Sequence, residues 1–361
     1  MKTSLYVFIN LICVLILSAC GGSSDKSVST NVTGVQDTIT STIDTYLNAN
    51  SAPNEPGLSI IIKKDDVVVY QSNRGLANKQ TNTGINSDTG FRLASVSKPF
   101  TALAIMQLYE QGLISMEDKL LDYIPELSSN WQAITVEHLL THRSGIPDFL
   151  NDIWSDKRNS GLTNQGLIQF FAKTPELEFP PGSKGDYSNT GYVLLAEIVA
   201  RVSGLSFSEY MQQNIFTPIG MHNSYITDET TPLKMGDALN FADKDTYHGF
   251  KMYTYGSMAQ VSSANDLSKF TLALKNHQIV NQQTLALMIE PHANLVNVGD
   301  YGYGFAIRDG FDHSGLWDSF NTLLRFYPEQ EIELIYLSNG GEVTDLHMSN
   351  IQKLVRDFYK L

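Results

Sequence analysis

The sequence has little cysteine and an excess of acidic over basic side chains. Its two cysteines, Cys13 and Cys20, both lie near the N-terminus of the 361-residue chain. The rest of the chain contains no cysteine, so it can form no disulfide and carry out no thiol chemistry. With 25 Lys and Arg against 38 Asp and Glu, the net charge is −13. A body this acidic argues against nucleic-acid binding and against electrostatic docking to anionic lipid.

Several common catalytic motifs are also missing. No serine stands in a G-x-S-x-G sequence, which excludes the α/β-hydrolase nucleophile turn, and there is no P-loop or dinucleotide-binding fingerprint. His138 and His142 are four residues apart on a predicted helix, but Leu139 stands where a zinc protease of the HExxH type needs glutamate. We therefore predict packing or capping roles for both histidines, and we expect neither a metal nor a cofactor.

The N-terminal residues predict an export signal rather than part of the fold. Lys2 precedes an apolar run of thirteen residues, Leu5 to Leu17, which is interrupted only by Asn10 and is too short to span a bilayer comfortably. Leu17-Ser18-Ala19-Cys20-Gly21 then resembles the lipobox of bacterial lipoproteins, in which the cysteine receives the lipid. The alternative is an ordinary secretory signal with an incidental cysteine.

We expect residues 1–19 to be a lipoprotein signal peptide and Cys20 to be lipidated. Residues 20–35, rich in Ser, Thr, Gly and Asn, predict a flexible tether. By resemblance to lipoproteins, Gly21 after the cysteine indicates retention in the outer membrane of a bacterial envelope. The protein would then face the periplasm or the cell exterior, anchored to the membrane through its N-terminal lipid.

Strand-like patterns occur at both ends of the remaining chain, and helical periodicity fills the middle. Leu58 to Lys63 and Val67 to Ser72 flank Asp65-Asp66 and predict a hairpin, while Phe320 to Tyr327 and Ile332 to Ser338 predict later strands. This arrangement indicates a sheet with an all-helical insertion. We place one domain at residues 36–361, with a sheet subdomain at about 36–90 and 245–361 and a helical subdomain at about 91–244.

The stretch from Phe91 to Ile114 carries the most informative local pattern. Its residues predict a helix that begins with Ser95 as N-cap and ends at Gly112. Ser95 and Lys98, three residues apart at the helix start, would face the same way, with the serine hydroxyl near the positive end of the helix dipole. This arrangement suits a serine nucleophile with a basic neighbour. The same SxxK spacing recurs by chance from Ser23 to Lys26, so the motif alone proves nothing.

Two further motifs follow in order along the chain. Tyr187-Ser188-Asn189 lies in a loop before a predicted helix, and His313-Ser314-Gly315 ends a predicted strand. SxxK, YxN and HxG in this order resemble the serine β-lactamase and penicillin-binding-protein superfamily, in its class-C-like branch. The resemblance covers roughly residues 40 to 360 and includes further blocks at Leu139 to Pro147, Phe179 to Asn189, Ser263 to Leu267 and Tyr301 to Phe305.

The resemblance implies an α+β, β-lactamase/transpeptidase-like fold, an antiparallel sheet flanked by helices with an all-helical subdomain, and an acyl-enzyme on Ser95. Lys98 and Tyr187 would complete the catalytic group. Either could take the serine proton, although the pKa of a tyrosine, ordinarily ~10, must fall for Tyr187 to do so. Asn189 would hold Lys98 and the substrate amide, and the backbone N–H groups of Ser95 and Leu316 would form the oxyanion hole.

His313 departs from the lysine that many members of this superfamily carry at the start of the third motif. Lysine offers a fixed charge for a substrate carboxylate, whereas histidine is mostly neutral at pH 7. Efficient β-lactam hydrolysis is therefore less expected. If His313 and Ser314 line the pocket that binds the substrate carboxylate, protonation of His313 near pH ~6.5 should strengthen the binding of carboxylate-bearing substrates. The resemblance also implies that Gly315 and Leu316 contact the substrate.

The sequence leaves several substrate classes open. The resemblance favours D-alanyl peptides, small esters or related amides, so the expected partner is a small molecule or a fragment derived from peptidoglycan. A class-C-like β-lactamase is one alternative, and a non-catalytic, lipid-anchored cell-wall-binding protein on the same fold is another. Every key catalytic position is filled, which favours an enzyme. Nothing in the sequence indicates the oligomeric state.

Overall fold

The computed structural model describes residues 32–152, 162–241 and 252–361. The predicted signal peptide, Cys20 and most of the predicted tether lie outside these ranges, and the tether's last residues, 32–35, belong to the first helix. Among the described helices, none is by itself long and apolar enough to cross a membrane. Asn189–Ser203 and Phe207–Phe216 reach that length and composition only as a pair, across a 79° bend.

The largest sheet is antiparallel and has eight strands. From edge to edge these are β10 (Ala293–Leu295), β11 (Gly299–Tyr301), β12 (Ala306–Arg308), β13 (Gly310–Trp317), β14 (Phe320–Tyr327), β15 (Ile332–Ser338), β1 (Leu58–Lys64) and β2 (Val67–Arg74). The order brings the two ends of the chain together, because β15 pairs with β1 so that Leu58 lies opposite Ser338.

Shorter strands form three small sheets beside this one. They are β3 (Leu76–Asn78) with β4 (Thr83–Gly84), β5 (Phe91–Arg92) and β7 (Tyr225–Ile226) on either side of β9 (Gln260–Ser262), and β6 (Leu162–Thr163) with β8 (Met252–Tyr253). The pairing of β5 with β9 matters for function, because β5 leads directly into the turn that carries Ser95.

The hairpin of β1 and β2 confirms the sequence prediction. Asp65 and Asp66 at its tip have φ values of +52° and +63°. Two left-handed residues in succession make the kind of turn whose twist matches the strands on either side, and aspartate tolerates this conformation better than most residues with a Cβ. Strand β1 is buried along nearly its whole length, because apolar cores lie on both faces of the sheet.

The first and last helices, α1 (Val32–Asn50) and α11 (Glu342–Tyr359), cover one face of the sheet. They pack on β1, β14 and β15 through a core that includes Ile39, Ile43, Leu47, Ile351 and Val355. The spacing of four between the first three of these residues is the pattern that predicts an amphipathic first helix. A larger core on the other face joins the sheet to the helical part of the chain.

The helical part has α2 (Ser97–Glu110) at its centre. This helix is buried on most sides and packs along α7 (Asn189–Ser203). Around them lie α3 (Leu120–Tyr123), α4 (Val136–Leu140), α5 (Phe149–Asp152), α6 (Asn164–Phe171) and α8 (Phe207–Met211, followed by a π-helical segment Gln212–Phe216), and later in the chain come α9 (Ala264–Lys275) and α10 (Gln282–Met288). The contact of α2 with α7 brings the predicted SxxK and YxN motifs together.

The start of α2 differs from the sequence prediction. Ser95 does not cap the helix, because it lies in a 3₁₀ turn, Ala94–Val96, that precedes α2, and Val96 occupies the N-cap position without a side-chain bond. The serine hydroxyl contacts Lys98 instead. The predicted end of the helix is confirmed, since Gly112 follows it with a φ of +70°.

Candidate active site

Ser95 and Lys98 meet where the 3₁₀ turn passes into α2. Ala94, directly before the serine, has a φ of +49°, a left-handed value that a residue with a Cβ seldom adopts and that is often found at functional sites. Lys98 Nζ lies 3.1 Å from Ser95 Oγ. Ser95 is partly exposed, whereas Lys98 is fully buried. The serine is therefore accessible to a substrate and its basic neighbour is shielded from water.

The surroundings of Lys98 match a neutral amine. Nζ donates to Asn189 Oδ1 at 2.7 Å and to the carbonyl oxygen of Ser257 at 3.0 Å, and both of these oxygens only accept hydrogen bonds. Ser95 Oγ is the third oxygen around Nζ, so an ammonium can donate to all three. In the neutral form the two N–H groups can stay with Asn189 and Ser257, which leaves the lone pair for the Ser95 hydroxyl. Burial lowers the pKa of Lys98 to about 7, although the negative charge of Asp148 opposes that shift. Lys98 can therefore accept the serine proton near neutral pH.

Tyr187 also contacts Ser95, from the loop before α7. Its hydroxyl is hydrogen-bonded to the serine side chain, and Lys98 Nζ lies 4.8 Å from the centre of its ring. Burial raises the pKa of Tyr187 well above its ordinary value and outweighs the bond to Ser95, which lowers it. The phenol keeps its proton at neutral pH. Of the two bases that the sequence leaves open, the structure favours Lys98.

Asn189 begins α7 and bridges Lys98 to a carboxylate. While its Oδ1 faces Lys98, its Nδ2 donates to Asp148 Oδ2 at 2.8 Å. Asp148 does not belong to the predicted site, although it directly follows the block that ends at Pro147. An aspartate directly after a proline is typical of a turn, and its carboxylate can accept N–H groups from neighbouring segments. This pattern could have indicated Asp148 as a residue that holds the site together.

His142 and His138 have the structural roles that the sequence predicts. The His142 ring is buried, stacks on Tyr187 at 4.3 Å between ring centres, and accepts the backbone N–H of Ser188 through Nδ1 at 3.1 Å. Burial holds the pKa of His142 well below its usual range, so the ring is neutral. His138 closes a capping box with Thr135 at the start of α4.

His313 lies on the wall of the site, but it is not the pH-sensitive group that the sequence suggests. Nδ1 donates to the carbonyl oxygen of Ser314 at 2.7 Å, and Nε2 accepts from the Tyr301 hydroxyl at 3.1 Å. Burial, assisted by the charge of Lys98, lowers the pKa of His313 to about 3. The expected titration near pH 6.5 is therefore wrong, because the ring is neutral and satisfied throughout the physiological range.

Strand β13 passes close to the turn that carries Ser95. Its pairing with β12 ends at Asp312, so no β12 residue pairs with its later residues. A Cβ on Gly315 would lie 2.3 Å from the Leu93 carbonyl oxygen and 3.0 Å from the Ser95 nitrogen. Only glycine allows this approach. Leu316, the next residue, is 66% exposed.

A cavity of about 370 Å³ opens at Ser95, a size suited to a small-molecule substrate. Six predicted site residues line it, namely Ser95, Tyr187, Asn189, His313, Ser314 and Leu316. Lys98 and Gly315 do not line the cavity but support its wall through their contacts with the serine turn. Much of the remaining wall is apolar, with Leu150, Met258, Val298, Tyr301, Ala306 and Trp317.

Arg308 supplies a fixed positive charge to this wall. Its Nη1 donates to both oxygens of Asp312 at 2.7 Å, and its side chain is still 41% exposed. Asp312 is shared with Arg325, which also pairs with Asp309, and Asp309 pairs in turn with Arg356. The cluster of three arginines and two aspartates carries one net positive charge. Of its members, Arg308 and Asp312 line the described cavity, where Arg308 is the one permanent cation.

The fold and this constellation define a class of serine hydrolases in which a lysine follows the nucleophile by one helical turn. The chain belongs to the beta-lactamase family, whose model matches residues 42–354. This is a family of serine hydrolases that includes penicillin-binding proteins, β-lactamases and amidases. The family and the mixed α+β fold that the sequence predicts are confirmed.

Individual relatives match most of the chain. Penicillin-binding protein 4* of Bacillus subtilis (strain 168) is 28% identical over 303 residues, which cover 77% of this chain and 67% of that protein. The crystal structure of a penicillin-binding protein from Bacillus halodurans has 28% identity and a TM-score of 0.75, covering 86% of this chain and 98% of that one. The D-amino acid amidase of Ochrobactrum anthropi SV3 shares the fold, with 24% identity, a TM-score of 0.74 and coverage of 91% and 98%.

Proposed function

We propose that the protein hydrolyses D-alanyl peptides, or related small amides and esters, through an acyl-enzyme on Ser95. The observation that carries this proposal is the position of Lys98 Nζ, 3.1 Å from Ser95 Oγ and in contact with two carbonyl oxygens. The neutral amine can keep both N–H groups on those oxygens and offer its lone pair to the serine. A buried lysine with a pKa of about 7 beside an accessible serine serves catalysis and would only weaken a non-catalytic cell-wall-binding protein.

In the first half-reaction Ser95 Oγ attacks the substrate carbonyl carbon, and the hydroxyl proton passes to Lys98 Nζ. The backbone N–H groups of Ser95 and Leu316 donate to the oxyanion, at the place where Gly315 lets the strand approach. Collapse of the intermediate breaks the bond to the amine or alcohol. The leaving group takes up the proton held by Lys98, which reaches it through the Tyr187 hydroxyl. Water then attacks the serine ester and gives its proton to Lys98, and the collapse of the second intermediate releases the acid product and returns the proton to Ser95.

Arg308 supports a substrate with a free carboxylate. His313 is neutral, so the charge that lysine supplies elsewhere in the superfamily has to come from another group. Arg308 lines the same cavity as Ser95. The similarity to penicillin-binding protein 4* adds support for a ligand of the penicillin type. Hydrolysis of neutral esters is the second candidate, favoured by the apolar remainder of the cavity wall.

Arg308→Gln should remove the preference for a carboxylate. We expect KM for an acyl-D-alanyl-D-alanine peptide to rise about 10–100-fold, because a hydrogen bond to a charged group contributes about 1.5–3 kcal/mol. KM for the C-terminal amide of the same peptide should stay within about twofold, since that substrate lacks the charge. Steady-state kinetics on the matched pair measure the difference.

In the unmodified protein, the same pair of substrates shows whether Arg308 or His313 binds the carboxylate. Because His313 stays neutral, the ratio of the two KM values should be constant between roughly pH 5.5 and 7.5. A ratio that changes through this range would restore His313 as the carboxylate-binding group. Equal KM values for peptide and amide would place the neutral-ester candidate ahead.

Intact mass tests the proposed reaction class. The protein is incubated in turn with a penicillin, a phenyl ester and a D-alanyl-D-alanine peptide, and each sample is quenched in acid. We expect an added mass equal to the acyl group with at least one probe, and none in the Ser95→Ala variant. Hydrolysis that persists in Ser95→Ala would overturn the proposal.

We also propose that Cys20 is lipidated and anchors the protein in a bacterial cell envelope. The support is the lipobox-like sequence that ends at Cys20 and the polar segment after it. Cys20→Ser should release the protein from the membrane fraction and leave its kcat/KM unchanged, because the anchor precedes the catalytic fold. Fractionation of cells that express either form, followed by immunodetection, gives the result. A serine variant that still sediments with membranes would contradict the lipoprotein assignment.

A further inference from the structure

Asn189 presents its carbonyl oxygen, and not its amino group, to Lys98. Oδ1 accepts from Lys98 Nζ at 2.7 Å, and Nδ2 donates to Asp148 Oδ2 at 2.8 Å. The two ends of an asparagine amide have nearly the same shape, so its partners decide its orientation. Because an ionised carboxylate only accepts, Asp148 holds Nδ2 on its own side and turns Oδ1 toward Lys98.

We propose that Asp148 is a positioning residue for the transfer of the Ser95 proton, and that it acts through Asn189. In the observed orientation Asn189 Oδ1 and the Ser257 carbonyl oxygen can accept both N–H groups of the neutral amine, which leaves its lone pair for the Ser95 hydroxyl 3.1 Å away. In the reversed orientation Nδ2 would donate to that lone pair, and Lys98 would present an N–H group to Ser95. The inference rests on the proposed function, since it concerns a step of the same reaction.

Asp148 is itself held in place. Its Oδ1 accepts the backbone N–H of Leu150 at 3.0 Å, and its Oδ2 accepts the backbone N–H of Asn189 at 3.3 Å as well as the side-chain bond. Next to it, the Thr190 hydroxyl donates to the Pro147 carbonyl oxygen at 2.7 Å. Bonds between the two segments therefore fix the carboxylate relative to the start of α7.

Asp148 is also the charged group that acts on the Lys98 amine. The other titratable groups around Nζ within the described chain are Tyr187, Tyr192, His142 and His313. Burial raises the pKa of both tyrosines and lowers the pKa of both histidines, so these four are uncharged at neutral pH. The charge of Asp148 favours the ammonium form and raises the pKa of Lys98 against the effect of burial.

Two substitutions at Asp148 separate its charge from its hydrogen bonds. Asp148→Asn removes the charge and keeps one acceptor oxygen, which can still take both bonds from Asn189 while the bond from the Leu150 N–H is lost. Asp148→Ala removes the charge and all of these bonds. The readout is the pH dependence of kcat/KM for a neutral phenyl ester, which has no amide N–H for Asn189 to bind. Active enzyme is counted from the acyl adduct, so that a loss of folded protein is not read as a loss of rate.

We expect Asp148→Asn to move the acidic limb of the profile to lower pH by about half a unit or more, because the lysine loses the charge that favours its protonation. Asp148→Ala should lower kcat about 10–100-fold as well, since the Asn189 amide is then free to reverse. KM for the ester should change little in either variant.

The matched control is Asp186→Asn. Asp186 is another carboxylate, directly before the Tyr187-Ser188-Asn189 motif, but its side chain is 40% exposed and pairs with Lys184. Its variant should keep the profile of the unmodified protein. A profile that does not move in Asp148→Asn, or that moves as far in Asp186→Asn, would refute the positioning role. Absence of any adduct on Ser95 in the unmodified protein would instead refute the proposed function.

Discussion

Ser95→Ala should abolish hydrolysis while the protein remains folded. We expect kcat/KM to fall by at least about 10⁴-fold with every substrate that the protein accepts, because the attacking atom is lost and the other groups act only through it. The loss of stability should be small, about 1 kcal/mol, since alanine removes one hydroxyl from a partly exposed position. Initial rates and thermal unfolding of the purified variant measure the two effects.

Ser97→Ala is the matched control for this substitution. Ser97 lies two residues further on, is buried, and its Oγ accepts the backbone N–H of Gln260 at 3.3 Å. The same chemical change there should cost about 1 kcal/mol of stability and leave the rate within about threefold. Residual activity of more than a few per cent in Ser95→Ala, or an equal loss in Ser97→Ala, would contradict the assignment of Ser95 as nucleophile.

Lys98→Met should have the second largest effect, a fall in kcat of about 10²–10⁴-fold, because methionine fills a similar space but cannot accept the serine proton. In the unmodified protein, kcat/KM for a neutral ester should rise as pH increases through about 7, where Lys98 loses its proton. Below that midpoint the rate should fall about tenfold per pH unit, and Lys98→Met should lose this dependence. A series of pH–rate profiles gives both results.

Lys184→Met serves as the control for the loss of a lysine. Lys184 is 51% exposed and pairs with Asp186, without a bond to Ser95. Its variant should keep the rate within about twofold and the acidic limb near pH 7. If Lys98→Met retained the same acidic limb, a group other than Lys98 would have to be the base.

The parts of the fold that the sequence predicts best are those with a long periodic signal. Strands β14 and β15 have the predicted bounds, Phe320–Tyr327 and Ile332–Ser338, because each carries seven or eight residues of strand-forming character. Strands β10 and β11 were not predicted. They have three residues each, too few for an alternating pattern, and their pairing with each other depends on the rest of the sheet.

The candidate site shows a similar division. The motifs, taken together in their order along the chain, predict Ser95, Lys98, Tyr187 and Asn189 as site residues, and the structure brings these four together. Their protonation states were not accessible from the motifs, because burial determines them: it lowers the pKa of Lys98 and raises that of Tyr187.

Two residues with functional proposals were missed altogether. Asp148 matters through its contact with an amide forty-one residues away, and Arg308 through its place on a strand that lines the cavity. Residues two apart on a strand face the same side, so Arg308 lies on the cavity wall together with Ala306. The alternation alone does not predict which side of the strand faces the cavity. The 3₁₀ turn at Ser95 could not be foreseen, since a serine before a helix ordinarily predicts an N-cap.

The titration of Lys98 itself is the most direct measurement of whether it is the base. The protein is labelled with ¹³C at the lysine Cε position, and the signal of Lys98 is assigned by its absence in Lys98→Met. We expect this signal to titrate with a midpoint at about pH 7 in the free protein, well below the value of ~10.4 for a lysine in a model peptide. A Lys98 signal that stays in the ammonium form up to roughly pH 9 would contradict the role of Lys98 as the base at neutral pH.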